Sequence, residues 1–149
     1  MDKTRKSKIQ LDKAYNVYNC KTGKFLGNTA SISDEISQAE GILYALLPYQ
    51  VSTVSVTGVP PTGAKREMAL PLSISIAAKG EKLGDHVVHV NVYSPEGTLQ
   101  KHLSKNITSK AGAAVYNLCL PFNSKAGSWK VEALDSASGV SGTLEIKAE

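Results

Sequence analysis

The sequence predicts an all-β protein, an antiparallel sandwich at its C-terminal end preceded by a short β-rich module. Three observations carry this. Short runs of Val, Ile, Leu and Tyr are broken by Gly, Pro, Asn and Ser every 8–12 residues or so. Several runs alternate apolar and polar residues, the period of a half-buried strand. Helical patterning is nearly absent; the best candidate, Ser33–Leu47 (SDEISQAEGILYALL), has acids at its start but Gly41 in its middle.

The alternation assigns faces. In ALPLSISIAA, Leu70, Leu72, Ile74 and Ile76 share one face and Ser73 and Ser75 the other. In HVVHVNVYS, Val88, Val90 and Val92 point one way, His89, Asn91 and Tyr93 the opposite way. In GSWKVEAL, Trp129, Val131 and Ala133 face inward, Lys130 and Glu132 outward. Such one-sided strands belong to antiparallel sheets, because buried parallel strands are apolar throughout. Turn chemistry agrees: Lys21-Thr22-Gly23-Lys24, Ser94-Pro95-Glu96-Gly97 and Asp135–Gly139 each separate two strand-like runs.

One break is stronger than the rest. Gly58-Val59-Pro60-Pro61-Thr62-Gly63 has no alternation and two prolines where a strand cannot continue. It divides the chain into residues 1–57, with four or five strands, and residues 64–149, with about seven. The second count suffices for a small sandwich. The first is few for an independent core, so residues 1–57 read as the tail of a larger upstream sandwich or as a module leaning on the second.

Composition bounds the function. At 149 residues, 42% hydrophobic and 20% charged, the chain is globular, and no apolar run approaches a membrane span. The opening MDKTRKSKIQ lacks the apolar region of a signal peptide. Of the net charge of +4, +3 comes from residues 1–13, where Lys3, Arg5, Lys6, Lys8 and Lys13 outnumber Asp2 and Asp12. That is a solvated tail, not the basic folded face of a nucleic-acid binder. Cys20 and Cys119 each sit in an apolar run, where a free Cys is a small buried hydrophobe. An oxidising compartment would permit a disulfide between them.

Reaction chemistry finds no footing. A glycosidase needs two facing carboxylates, and the 13 acids lie mostly in loops or alternate outward with lysines; Asp34, Glu35 and Glu132 have no common aim. His86 and His89 fall on opposite faces of one strand, and Asp85 and His89 lie roughly 13 Å apart along it. His102 stands alone in a turn. All three read as surface histidines, and no metal or cofactor is expected. Gly-x-Ser-x-Gly and phosphate-loop spacings are missing. Asn106-Ile107-Thr108 fits the glycosylation acceptor pattern, which arises by chance.

Sugar contact remains the sharper alternative, since aromatic faces pack on pyranose rings. Tyr93, His89 and Asn91 on one strand face are the exposed candidates for ligand contact. Trp129 is the fourth candidate, although its phase with Val131 and Ala133 makes it a core residue. Tyr44 and Tyr49, on either side of Pro48, are expected to pack at the junction between modules. Aromatic content of 6% is low for a dedicated carbohydrate-binding module.

Residues 15–27 (YNVYNCKTGKFLG) and 41–56 (GILYALLPYQVSTVSV) resemble the β-rich segment after the catalytic domain of some bacterial glycoside hydrolases. Residues 87–147, carrying VNVYSPEG, AGAAVYNLCLP and AGSWKVEAL, resemble an immunoglobulin-like sandwich of the macroglobulin or bacterial surface-protein kind. The resemblance implies an accessory C-terminal region of a larger extracytoplasmic carbohydrate-active enzyme whose natural start has been removed. Its implied partners are the upstream catalytic domain and a polysaccharide. In those families the stretch carries no catalytic residues. The reactive thioester segment of macroglobulins is missing too, so protease trapping does not carry over. The alternative is a surface adhesion or macroglobulin-like protein-interaction domain.

Overall fold

The computed structural model describes residues 4–37, 41–58 and 64–148. Ten strands form three antiparallel sheets, and no helix occurs among the described residues. The N-terminal sheet has the order β2-β1-β3, from β1 (Thr4–Asn19), β2 (Lys24–Ser37) and β3 (Tyr44–Leu47). A second sheet orders β4 (Tyr49–Thr57), β5 (Ala69–Gly80) and β8 (Ala113–Cys119) as β4-β5-β8. The third contains β6 (His86–Tyr93), β7 (Lys105–Ser109), β9 (Gly127–Asp135) and β10 (Ser141–Ala148), in the order β10-β9-β6-β7.

The last two sheets face each other as an immunoglobulin-like sandwich. Counting from β4, strands one, two and five make one layer and seven, six, three and four the other. The core between them is Leu72, Ile74 and Ile76 from β5, Val88, Val90 and Val92 from β6, and Trp129, Val131 and Ala133 from β9. Val54, Leu118 and Ile146 close it. Each of these strands presents the face its alternation assigned, because a polar side chain on the inner face would lose its water.

The described part of the segment 33–47 is not helical: β2 runs through it to Ser37 and β3 begins at Tyr44, while residues 38–40 lie outside the described residues. The described residues 64–148 hold six strands. The seventh of the sandwich is β4, which lies before the break at Gly58–Gly63. Tyr49–Thr57 pairs with Ser73–Gly80, and Val51, Val54 and Val56 are buried in the same core. The packing unit of the sandwich therefore runs from Tyr49, across the line drawn from the prolines. Residues 59–63 themselves lie outside the described residues. Gly58 has φ +118°, and a Cβ there would stand 2.7 Å from the Pro71 carbonyl oxygen, so β4 leaves the sheet by a route only glycine permits.

In the N-terminal sheet, β1 and β2 form a long ribbon with a large bulge. Gln10 pairs with Ser31 and Tyr15 with Thr29, so Leu11–Ala14 face a single residue, Ala30. Extra residues on one strand bend it. The bend is visible across the sheet: Tyr44, opposite Asn19, donates its hydroxyl to Asp34, which is opposite Ser7 far along the ribbon (2.5 Å).

Candidate functional site

The N-terminal sheet meets the sandwich at the β9–β10 turn, and a buried polar cluster lies there. Asp135 ends β9 at 0% exposure and His86 opens β6 at 5%. Their Nδ1 and Oδ1 atoms are 2.8 Å apart. The other carboxylate oxygen accepts from the Ser138 amide (3.0 Å) and hydroxyl (2.5 Å). On the far side of the imidazole, Nε2 is 2.9 Å from the Tyr49 hydroxyl, whose oxygen also accepts the Gly84 amide. The arrangement that satisfies every group has Nδ1–H donating to Asp135 and Tyr49 donating to Nε2. Burial alone would raise the Asp135 carboxyl, but the bonds from His86 and Ser138 outweigh it and hold it below its ordinary value.

This Ser–Asp–His–Tyr chain has the partners of a catalytic relay, but not the access. Its side chains are enclosed, and Ser138 points its hydroxyl at the carboxylate instead of the imidazole. What the cluster does is fix the turn. Gly139 donates its amide to the Asp135 carbonyl, and its Cα lies against Gly23 of the β1–β2 turn, too close for a Cβ on Gly139. Beside this contact, the Cys20 thiol lies 3.7 Å from the Ala137 carbonyl oxygen. The Tyr18 hydroxyl oxygen accepts the Val51 amide at 3.0 Å. Burial raises both the Cys20 thiol and the Tyr18 phenol, and the negative charge of Asp135 adds to each.

Several sequence expectations change here. His86 is a buried, doubly bonded histidine, because the strand phase that buries Val88 and Val90 also buries the even-numbered His86. Asp135 is likewise an inward-facing acid. Tyr49 belongs to the sandwich core and Tyr44 to the N-terminal sheet, so Tyr18 and the two turns carry the junction. Cys119 is exposed on the outer face of β8, while Cys20 is half-buried at the junction; both thiols are free. Asp85, considered beside His89, pairs with Lys110 and the Ala111 amide instead, and Lys110 draws its carboxyl down.

The expected ligand-contact trio does share one outer face, that of the β10-β9-β6-β7 sheet, but each member is already engaged. His89 Nδ1 is 2.5 Å from Asn106 Oδ1. Asn91 and Tyr93 both donate to Glu132, at 3.4 and 3.1 Å. The Lys130 ammonium lies 4.4 Å from the centroid of the Tyr93 ring. A sugar stacking on Tyr93 would have to displace that cation. Trp129 is on the opposite face, 4% exposed, with Nε1–H donated to the Lys125 carbonyl at 2.9 Å.

A concavity lies at the end of the sandwich away from the β9–β10 turn. The loop 94–104 between β6 and β7 and the loop 120–126 between β8 and β9 enclose about 210 Å³, lined by Gln100, His102, Asn123, Ser124 and Trp129. Sequence reasoning missed it because its members come from two loops with no shared period. No group of three or more His, Cys, Asp or Glu side chains able to hold a metal occurs among the described residues.

No protein-family model matches the chain, and no curated protein matches it. Among solved structures, it is similar to the CARDB domain of a Pyrococcus furiosus protein, crystallised in complex with di-metal ions. That likeness has a TM-score of 0.44 and 15% sequence identity, and covers 68% of this chain and 89% of the other. At that level it carries no ligand across, and the immunoglobulin-like assignment rests on the strand order itself.

Proposed function

We propose that this chain is a non-catalytic accessory module of a larger extracytoplasmic protein and works by surface contact. The observation that carries the reading is the enclosure of the one acid–base relay among the described residues, His86 and Asp135, whose bonding capacity is consumed in holding the β9–β10 turn against the N-terminal sheet. A reaction centre needs its base within reach of a substrate proton. The parent favoured by the resemblance of residues 15–27 and 41–56 is a carbohydrate-active enzyme, its catalytic domain upstream.

The test is the mass of the native polypeptide in its source cells, read with an antibody against this chain. A band several times 15.8 kDa is expected; a band near 15.8 kDa overturns the accessory reading.

One observation favours a second reading, a protein-interaction domain. The outer face of the β4-β5-β8 sheet has no charge from Thr53 to Thr57, Ala69 to Ala77 or Ala113 to Cys119, and exposes Val115 at its edge. An uncharged sheet face of this extent suits contact with another protein. Retention of a defined partner on a column of the intact chain, lost in Val115→Lys, distinguishes it.

A further inference from the structure

Among the described residues, Phe122 is the most exposed of the large apolar side chains, at 74%. Phe has no polar tip to repay such exposure, unlike Tyr or Trp. It sits in the β8–β9 loop between Pro121 and Asn123, both of which line the concavity at this end of the sandwich. The cavity combines two kinds of surface. Pro121 and the Trp129 ring are apolar, and the indole N–H is already donated to the Lys125 carbonyl. His102, Asn123 and Ser124 are polar, and their side chains make no hydrogen bond to the described residues.

The charges at the rim cancel. Glu96 pairs with the Lys125 ammonium and also accepts the Ser94 hydroxyl, and the Lys125 bond draws its carboxyl down. What remains for a ligand is an imidazole, an amide and a hydroxyl beside an exposed aromatic ring, with the one acid and the one ammonium of the lining paired to each other. That set matches an uncharged ring carrying several hydroxyls on its edge and C–H groups on its face. The space, about 210 Å³, is smaller than the usual pocket for a drug-sized ligand, and suits one residue of a longer chain lying across the loops.

We propose that the end of the sandwich formed by the loops 94–104 and 120–126 is a binding site for a neutral glycan. Phe122 stacks on a sugar face, and His102, Asn123 and Ser124 bond the hydroxyls of the ring seated in the cavity. This deepens the accessory-module reading and rests on it, and it moves the sugar contact from the strand face of Tyr93 to the loops.

The test titrates the full chain with neutral pentasaccharides (cello-, xylo- and manno-oligosaccharides) while amide chemical shifts are recorded. For at least one of them, shifts are expected to cluster in residues 94–104 and 120–129. Phe122→Ala, which removes only an exposed side chain, should weaken that binding about tenfold with the remaining spectrum unchanged. Shifts centred on Tyr93, unaltered affinity in Phe122→Ala, binding of polygalacturonate alone, or silence from all sugars at about 10 mM would each overturn the site. None of these outcomes bears on the accessory reading, which stands or falls on the native mass.

Discussion

The His86 imidazole and the Asp135 carboxylate face each other at 2.8 Å in the sealed end of the sandwich, 49 residues apart in sequence. Asp135 is held ionised below its ordinary range because His86 and two Ser138 donors outweigh its burial. A carboxyl with a depressed folded pKa contributes stability that is fully present above its unfolded value of about 3.9, and loses it as pH falls through the folded one. Urea unfolding from pH 7 downward should show that acid-side loss. Asp135→Asn should flatten it and cost about 1–3 kcal/mol at neutral pH, since the amide must turn its NH2 toward either the Ser138 donors or the His86 N–H, leaving a buried donor unpaired. An unchanged acid limb in the variant would show that other carboxyls control it.

Docking of the N-terminal sheet depends on two glycines without side chains. Gly139→Ala puts a Cβ into Gly23 and also forces a non-glycine residue to φ +73°. A loss of about 1–3 kcal/mol is expected. Its signature is local: the Val51 amide, bonded to the Tyr18 hydroxyl, should exchange faster with solvent while Val90 and Val131 stay protected. Tyr18→Phe should accelerate the same amide without touching the turn.

The two cysteines should react as unlike thiols. Cys119 is exposed on β8, whereas Cys20 is half-buried at the junction, its thiol raised by burial above the ordinary range. A colorimetric thiol reagent should titrate one group rapidly and a second slowly, and Cys119→Ser should abolish the fast phase. In Gly139→Ala the slow phase should quicken.

Tyr44 should ionise late. Burial, then the Asp34 carboxylate it bonds to, push its phenol up to about 12. A raised folded pKa means that the bond stabilises below the unfolded value of about 10 and is lost as pH rises toward about 12. Ring-carbon NMR should follow this directly. Asp34→Asn should bring the titration down, because burial remains but the like charge is gone.

Much of the sandwich was legible because a strand shows its burial in its own letters. Leu72, Ile74 and Ile76, or Val88, Val90 and Val92, declare their face at a period of two, and Trp129 follows Val131 inward. His86 and Asp135 obey the same phase, although residue type makes His86 a surface histidine and turn chemistry places Asp135 in a break between strands. Strand phase was the better guide, and it would have buried both. The place of β4 was hidden because the prolines after it mark the end of a strand, which is not the end of a core. The loop cavity and the Gly23–Gly139 contact leave no periodic trace; they arise only when distant turns come together.

That last contact also sets an order on folding. Gly23 and Gly139, and Cys20 and Ala137, join positions more than a hundred residues apart, as the 117-residue separation of the thiol contact shows. Within the chain, the β1–β2 ribbon is made before its docking surface, the β9–β10 turn, and pairs locally in the meantime. Until that turn is made, Gly23 and the Cys20 thiol wait without their partners. During that interval the ribbon is an undocked sheet, and undocked sheets are open to edge-to-edge pairing with neighbouring chains.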